Sequence, residues 1–295
     1  MQVHSRQQFA WLPAVLGMCK FKITFAVSTT TVAGYILGKG MLDFGIVLPT
    51  LALWLVASGS AALNHWQEWP YDKEMGRTSS RPIPAGLMSP NLVLFTATFL
   101  IVIGCVGMFL AAGSTATLLS ALAVFWYNGF YTPMKRKSPY TVIPGGLIGA
   151  LPPMIGYVVA HGQMTDPEIL SFCFFIFIWQ VPHFWLLSLH YGEQYQKAGF
   201  PCVTRMFDRA QMHRIVYSWI LTCALCSLTL PVLKASYNPY TLAGLLVLSL
   251  WISVEERKLL FSVEKPPYLK AFMELNLYAL LVMVLIAMDE ILLHL

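Results

Sequence analysis

An all-helical polytopic membrane protein is the fold class this sequence predicts, and three observations carry the prediction. Only 11% of the 295 residues are charged, against roughly a quarter in a typical soluble domain. Hydrophobic residues make up 57%, and the mean hydropathy is +0.63. The apolar residues come in runs of about 20, the length that spans a bilayer, rather than in the short alternating segments of a transmembrane β-barrel. Together these exclude a soluble enzyme, a disordered chain and a coiled coil, and a net charge of +5 adds no argument for nucleic acid.

Continuous apolar stretches bounded by charge, Pro or Gly give nine spans, over 21–38, 44–63, 90–112, 115–131, 141–160, 169–189, 214–233, 240–254 and 272–292. With the N-terminus placed in the cytoplasm, 17 of the 19 Lys and Arg residues fall on the inner side, and only Lys39 and Lys234 fall outside. Inner loops carry the positive excess in membrane proteins, so this asymmetry predicts one domain over 1–295 with its N-terminus in and its C-terminus out. No short apolar core ending in a small-residue cleavage site opens the chain, so Met1 onward is read as mature. Most of the six cysteines lie inside apolar runs, and the Cys223-x-x-Cys226 pair reads as helix packing rather than metal binding.

Two inner segments, 64–89 and 190–213, are long enough to suggest work and too rich in Trp, Tyr, Phe and Met to be disordered. In the first, Asn64, Glu68 and Asp72 are spaced by four. On a helix that spacing lines up an amide and two carboxylates over about 12 Å of one face. Two ionised carboxylates one turn apart at a membrane boundary repel unless a cation sits between them. Oxygen ligands of this kind suit Mg²⁺, which completes its shell with water and phosphate oxygens. Arg77 and Arg81, also four apart, add forked donors matched to phosphate. Acid for metal beside base for phosphate predicts a diphosphate site. The competing reading is a solvated helix end, and Pro70 predicts a kink inside the motif.

The string N-x-x-x-E-x-x-x-D-x-x-M-x-R-T-x-x-R-P resembles the first aspartate-rich motif of the UbiA-type intramembrane prenyltransferases. Tyr131-Thr132-Pro133-Met134-Lys135-Arg136, the Gly145–Gly156 stretch with Pro152 and Pro153, and Trp179-Gln180-Val181-Pro182-His183-Phe184-Trp185 are similar to segments of the protohaem IX farnesyltransferase branch. The resemblance covers roughly residues 20–205. It implies a helical bundle around a central cavity and transfer of a farnesyl group from farnesyl diphosphate to a vinyl group of haem B, with Mg²⁺ as cofactor. By the same resemblance, Asn64, Glu68, Asp72 and Glu193 hold the metal, Arg77 and Arg81 neutralise the diphosphate, and Tyr131, Lys135, Arg136 and His183 meet substrate, His183 through the porphyrin.

It further implies a bacterial inner-membrane enzyme with its active site facing the cytoplasm, and haem-copper oxidase assembly factors as partners beside the lipid bilayer and the two substrates. The chain departs from the branch at Gln194, where an acid is expected, which leaves Glu193 as the only carboxylate of the second motif. Prenylation of a quinone precursor, an inactive haem-binding relative, and a membrane carrier remain alternatives at this point. Lys135 and Arg136 also read as plain determinants of topology.

Overall fold

The computed structural model describes residue 15 and residues 17–76, 78–234, 237–261 and 267–295. Eight long helices account for most of them: α1 Phe21–Lys39, α2 Val47–Asp72, α3 Pro90–Val124, α4 Val142–Val159, α5 Pro167–Lys197, α6 Arg209–Thr229, α7 Pro239–Glu256 and α8 Tyr268–Leu293. Helix α3 runs on through a π-helix, Phe125–Tyr131, and a last turn, Thr132–Met134.

A continuous helix over Pro90–Met134 would be about 67 Å long, more than twice the hydrocarbon thickness of a bilayer. The chain avoids this by reversing at Gly113, whose φ of 79° and ψ of −169° are non-helical and need a residue without a Cβ. Before the break, Val93 and Ala97 pack with Ala62 of α2, and Gly104 lies against the Ala52 carbonyl. After it, Asn128 reaches back to Ser60 and Thr132 to Asn64. The two halves therefore run antiparallel along α2, where the sequence predicts two separate spans.

Six helices among the described residues are long and apolar enough to cross a membrane, with Pro90–Met134 counted as one. Helix α1 is not among them because Ser28, Thr29, Thr30 and Thr31 lower its hydropathy. Each of those hydroxyls donates back to a carbonyl of the preceding turn, as Thr30 does to Val27 at 2.8 Å. The outer surface is hydrocarbon, with Leu110 79% and Phe95 69% exposed. An apolar exterior of this extent is what lipid requires, and the chain is an integral membrane protein.

Two helices extend past their predicted ends. Helix α2 continues to Asp72 through Pro70, and α5 continues to Lys197 through Pro182, so both long inner segments are partly helix. The two lysines that the sequence places on the outer side are both ion-paired. Lys39 bonds Asp43 at 2.5 Å, and Lys234 lies 3.1 Å from Asp289 and 3.6 Å from Glu168, with Glu290 also in contact.

Small residues set the closest approach in the bundle. A Cβ on Gly156 of α4 would sit 1.9 Å from the Thr31 carbonyl oxygen, and one on Gly34 of α1 would sit 2.0 Å from that of Pro153. Backbone cannot move aside as a side-chain tip can. Gly156→Val is therefore expected to lower the unfolding free energy in detergent by about 3 kcal/mol. Gly76→Ala, with nothing within 4 Å of its new methyl, serves as the neutral control in the same denaturation series.

Candidate active site

The predicted face of α2 exists, and it points inward. Asn64, Glu68 and Asp72 are 2%, 4% and 0% exposed. Each meets a cation delivered by a different part of the chain. Lys20, in the turn before α1, donates to Asn64 Oδ1 at 2.8 Å and to the Tyr127 hydroxyl at 3.2 Å. Lys135, just past α3, lies 2.6 Å from Glu68 Oε1. Arg81, in the loop after α2, donates Nη1 to both Asp72 oxygens at 2.8 and 2.7 Å, and lies 4.0 Å from Glu68. Three basic side chains thus face two carboxylates and one amide in a buried site.

Local structure explains how the loop returns to the helix. Thr78 Oγ1 donates to the Asp72 carbonyl at 3.1 Å, and the Ile83 amide donates to His65 Nε2 at 3.3 Å. These bonds pin the segment on either side of Arg81 against α2. Arg77 lies outside the described residues.

Burial pushes the Lys20 ammonium down to about 7, and the neighbouring Arg81 charge pushes in the same direction. Burial would lower Lys135 too, but the Glu68 carboxylate outweighs it and holds this lysine above the ordinary range. Lys135 thus stays charged.

The π-helix places the aromatic wall. A π-turn carries an extra residue per turn, and such turns concentrate at functional sites. Here Tyr127 and Tyr131 both line the cavity with ring centroids 5.9 Å apart. Asn128 turns the other way, where its amide donates to the Ser60 carbonyl at 3.0 Å and to Gln67 Oε1 at 3.1 Å. Gln67 returns a bond to the Asn128 carbonyl at 2.9 Å, and Trp126 Nε1 donates to the Pro144 carbonyl at 2.8 Å.

These groups open on a cavity of about 490 Å³. Its polar end holds Lys20, Asn64, Glu68, Asp72, Arg81 and Lys135, and its remaining walls are largely aliphatic and aromatic. Among the described residues no three of His, Cys, Asp and Glu come together as a metal cluster. A divalent cation here would have two carboxylates and one amide oxygen, a donor set that fits Mg²⁺ completing its shell with water and phosphate oxygens.

Three residues assigned to the site by sequence lie elsewhere. Arg136 donates Nη2 to the Gln67 carbonyl and stacks over the Tyr71 ring at 4.4 Å, so it braces α2 against the end of α3 and does not line the cavity. His183 bonds Asn276 Oδ1 at 2.8 Å and sits among the rings of Trp179, Phe184 and Phe272, again off the cavity. Glu193 lines a separate cavity of about 280 Å³ with His190, Asp208 and Arg209, because helix α5 turns it away from the face that carries Tyr195. Gln194 lines neither cavity.

Lys20, Tyr127 and Gln180 line the cavity without having been picked out by sequence. The spacing of Tyr127 and Tyr131 by four offered a signal for the second of these.

A family model described as UbiA prenyltransferase family matches residues 26–280. The chain belongs to that family. Among curated relatives, a protoheme IX farnesyltransferase of Nitratidesulfovibrio vulgaris strain Hildenborough is 30% identical over 214 residues, which is 72% of this chain and 75% of the relative. That of Aquifex aeolicus is 40% identical over 63% of this chain and 64% of its own length.

Solved family structures share the fold. A chain from a study of digeranylgeranylglyceryl phosphate synthase in membranes superposes with a TM-score of 0.77 at 15% identity, covering 95% of this chain and 98% of its own. A UbiA homologue from Archaeoglobus fulgidus bound to GPP and Mg²⁺ superposes at 0.68 and 14% identity, covering 94% and 99%.

Removing one partner of a buried ion pair strands the other. Lys135→Leu is expected to cost about 3 kcal/mol of unfolding free energy in detergent by exposing Glu68 to an uncompensated interior. Arg136→Leu, which removes a brace to a neutral carbonyl, is expected to cost about 2 kcal/mol in the same measurement.

Proposed function

We propose that this family member transfers the farnesyl group of farnesyl diphosphate to a vinyl group of protohaem IX (haem B), giving haem O. One observation carries the reading: a buried Asn64–Glu68–Asp72 ladder faced by Lys20, Arg81 and Lys135 at the polar end of an otherwise apolar cavity. Such a cavity suits a molecule with a diphosphate head and a hydrocarbon tail. The protoheme IX farnesyltransferase relatives support the choice of prenyl group and acceptor.

Asn64, Glu68 and Asp72 would hold Mg²⁺, without Glu193, which faces the other cavity. When bound, the metal neutralises diphosphate oxygens and so eases their departure. Arg81 and Lys135 exchange their carboxylate partners for the departing diphosphate, and Lys20 joins them. Cations already in place act on the charge that develops in the transition state. The Tyr127 and Tyr131 rings present π faces to the allylic cation left behind. Aliphatic walls keep water from that cation until the vinyl carbon attacks it. The new carbon–carbon bond moves the positive charge to the carbon next to the macrocycle, where water adds and loses a proton.

The topology completes the reading. One transmembrane domain of nine spans, N-terminus inside, sets the ladder at the cytoplasmic face of a bacterial inner membrane, supported by the 17 of 19 basic residues on that side. Haem-copper oxidase assembly factors are the partners to which haem O would pass.

The test is incubation of purified protein with haem B, farnesyl diphosphate and Mg²⁺, followed by mass analysis of the extracted haem. Farnesylated, hydrated haem is the expected product, and chelation by EDTA abolishes it until Mg²⁺ is restored. A prenylated phenol, with haem left unchanged, would overturn the acceptor. Asp72→Asn is expected to reduce turnover about 100-fold or more, and Lys20→Met to raise KM for farnesyl diphosphate about tenfold. Steady-state kinetics read both, and full activity of either variant removes that residue from the site.

A further inference from the structure

The lining of the large cavity divides between two walls. Val27 of α1, Leu53 and Val56 of α2, Val124 at the end of α3 and Ile155 of α4 form an aliphatic side. Across from them, α5 contributes Gln180, Phe184, Leu187 and Ser188. A hydrocarbon tail is fully served by the first wall. The second contains a group such a tail cannot satisfy.

That group is the Gln180 amide. It lies in a membrane-spanning helix, lines the cavity, and makes no hydrogen bond with any described residue. Two polar neighbours on α5 are held away from the cavity by partners: Trp179 Nε1 donates to the Leu275 carbonyl at 3.1 Å, and His183 is bonded to Asn276. Gln180 is half-buried and its side chain opens on the cavity, and polar groups within a membrane-spanning helix usually serve function.

Helix α4 is shaped to receive this side chain. A Cβ on Gly149 would stand 2.4 Å from Gln180 Nε2, so the glycine leaves the space in which the amide lies against α4. One turn along α5, Phe184 lies 6.3 Å from the Tyr131 ring, which sets Gln180 one helical turn from the aromatic wall of the reaction chamber.

We infer that Gln180 is a specificity-determining residue that hydrogen-bonds the acceptor macrocycle, with Gly149 making the space in which its amide is held. The inference rests on the farnesyl-to-haem reading. A macrocycle bearing propionate carboxylates offers this amide the partner that an isoprenoid chain lacks. His183, the polar residue of the same stretch to which the family resemblance points, is engaged by Asn276 and three aromatic rings instead.

The test titrates haem B into detergent-solubilised protein, followed by its Soret band, alongside KM for each substrate. Gln180→Leu is expected to weaken haem binding and raise the haem KM at least tenfold, while KM for farnesyl diphosphate stays within twofold, which also shows that the variant is folded. Gly149→Ala, which displaces only the end of a flexible side chain, is expected to shift the same constant in the same direction. Gln180→Asn, retaining an amide, should recover part of the loss. The assignment falls if Gln180→Leu titrates like the unaltered protein, or if both KM values rise by the same factor. If the unaltered protein gives no Soret change and no farnesylated haem, the proposed function falls, and this assignment with it.

Discussion

Two carboxylates buried a helical turn apart are the constraint around which this protein is organised. Glu68 and Asp72 are almost wholly withdrawn from solvent, and neither can stay ionised there without a cation at hand. The three that answer come from residue 20, residue 81 and residue 135, so the start of α1, the loop after α2 and the end of α3 are all drawn to one helix face. Two of these contacts, Lys20 with Asn64 and Lys135 with Glu68, join segments far apart in the sequence. The ladder therefore fixes tertiary structure as well as the charge of the cavity's polar end.

Holding those cations requires a backbone that departs from regular helix in specific places. Gly113 lets α3 fold back along α2, and without that reversal Lys135 would lie some tens of ångströms from Glu68 by helix rise alone. The π-helix then rotates Asn128 toward Gln67 and Ser60 while presenting Tyr127 and Tyr131 to the cavity. Arg136, stacked on Tyr71 and bonded to the Gln67 carbonyl, closes this arrangement from the outside. Its charge serves the frame, and that of its neighbour Lys135 serves the site.

This difference between adjacent residues shows where the sequence is legible and where it is not. The four-residue spacing of Asn64, Glu68 and Asp72 is a statement about one helix face, and periodicity reads such faces directly. Hydropathy likewise locates the helices, because lipid demands apolar runs of a set length. A contact between distant segments leaves no such periodic trace. Lys20 counts as one more inner-face charge in the topology, as Lys73 does, and nothing local marks it as the partner of Asn64. His183 and Gln180 sit three apart on α5, and the histidine draws attention because its chemistry is versatile. The rotation of the helix, set by packing against α8 and α4, decides that the glutamine faces the cavity. Pro70, read as a kink within the motif, and Pro182, inside a predicted span, both lie within continuous helices.

The division of labour inside the cavity follows from the same physics. On the proposed reading, charge at the polar end would recognise a diphosphate and a divalent cation, whatever the prenyl tail or the acceptor. Electrostatic recognition of that kind supplies affinity and transition-state stabilisation but little discrimination between acceptors of similar size. Discrimination has to come from groups that lose a hydrogen bond when the wrong molecule binds, since an unpaired buried donor or acceptor is where binding sites gain their largest selectivity. On the α4–α5 wall that role requires a polar group with an open valence and a neighbour small enough to let it lie flat. Gln180 over Gly149 meets both conditions, while the hydrocarbon wall formed by α1 and α2 meets neither.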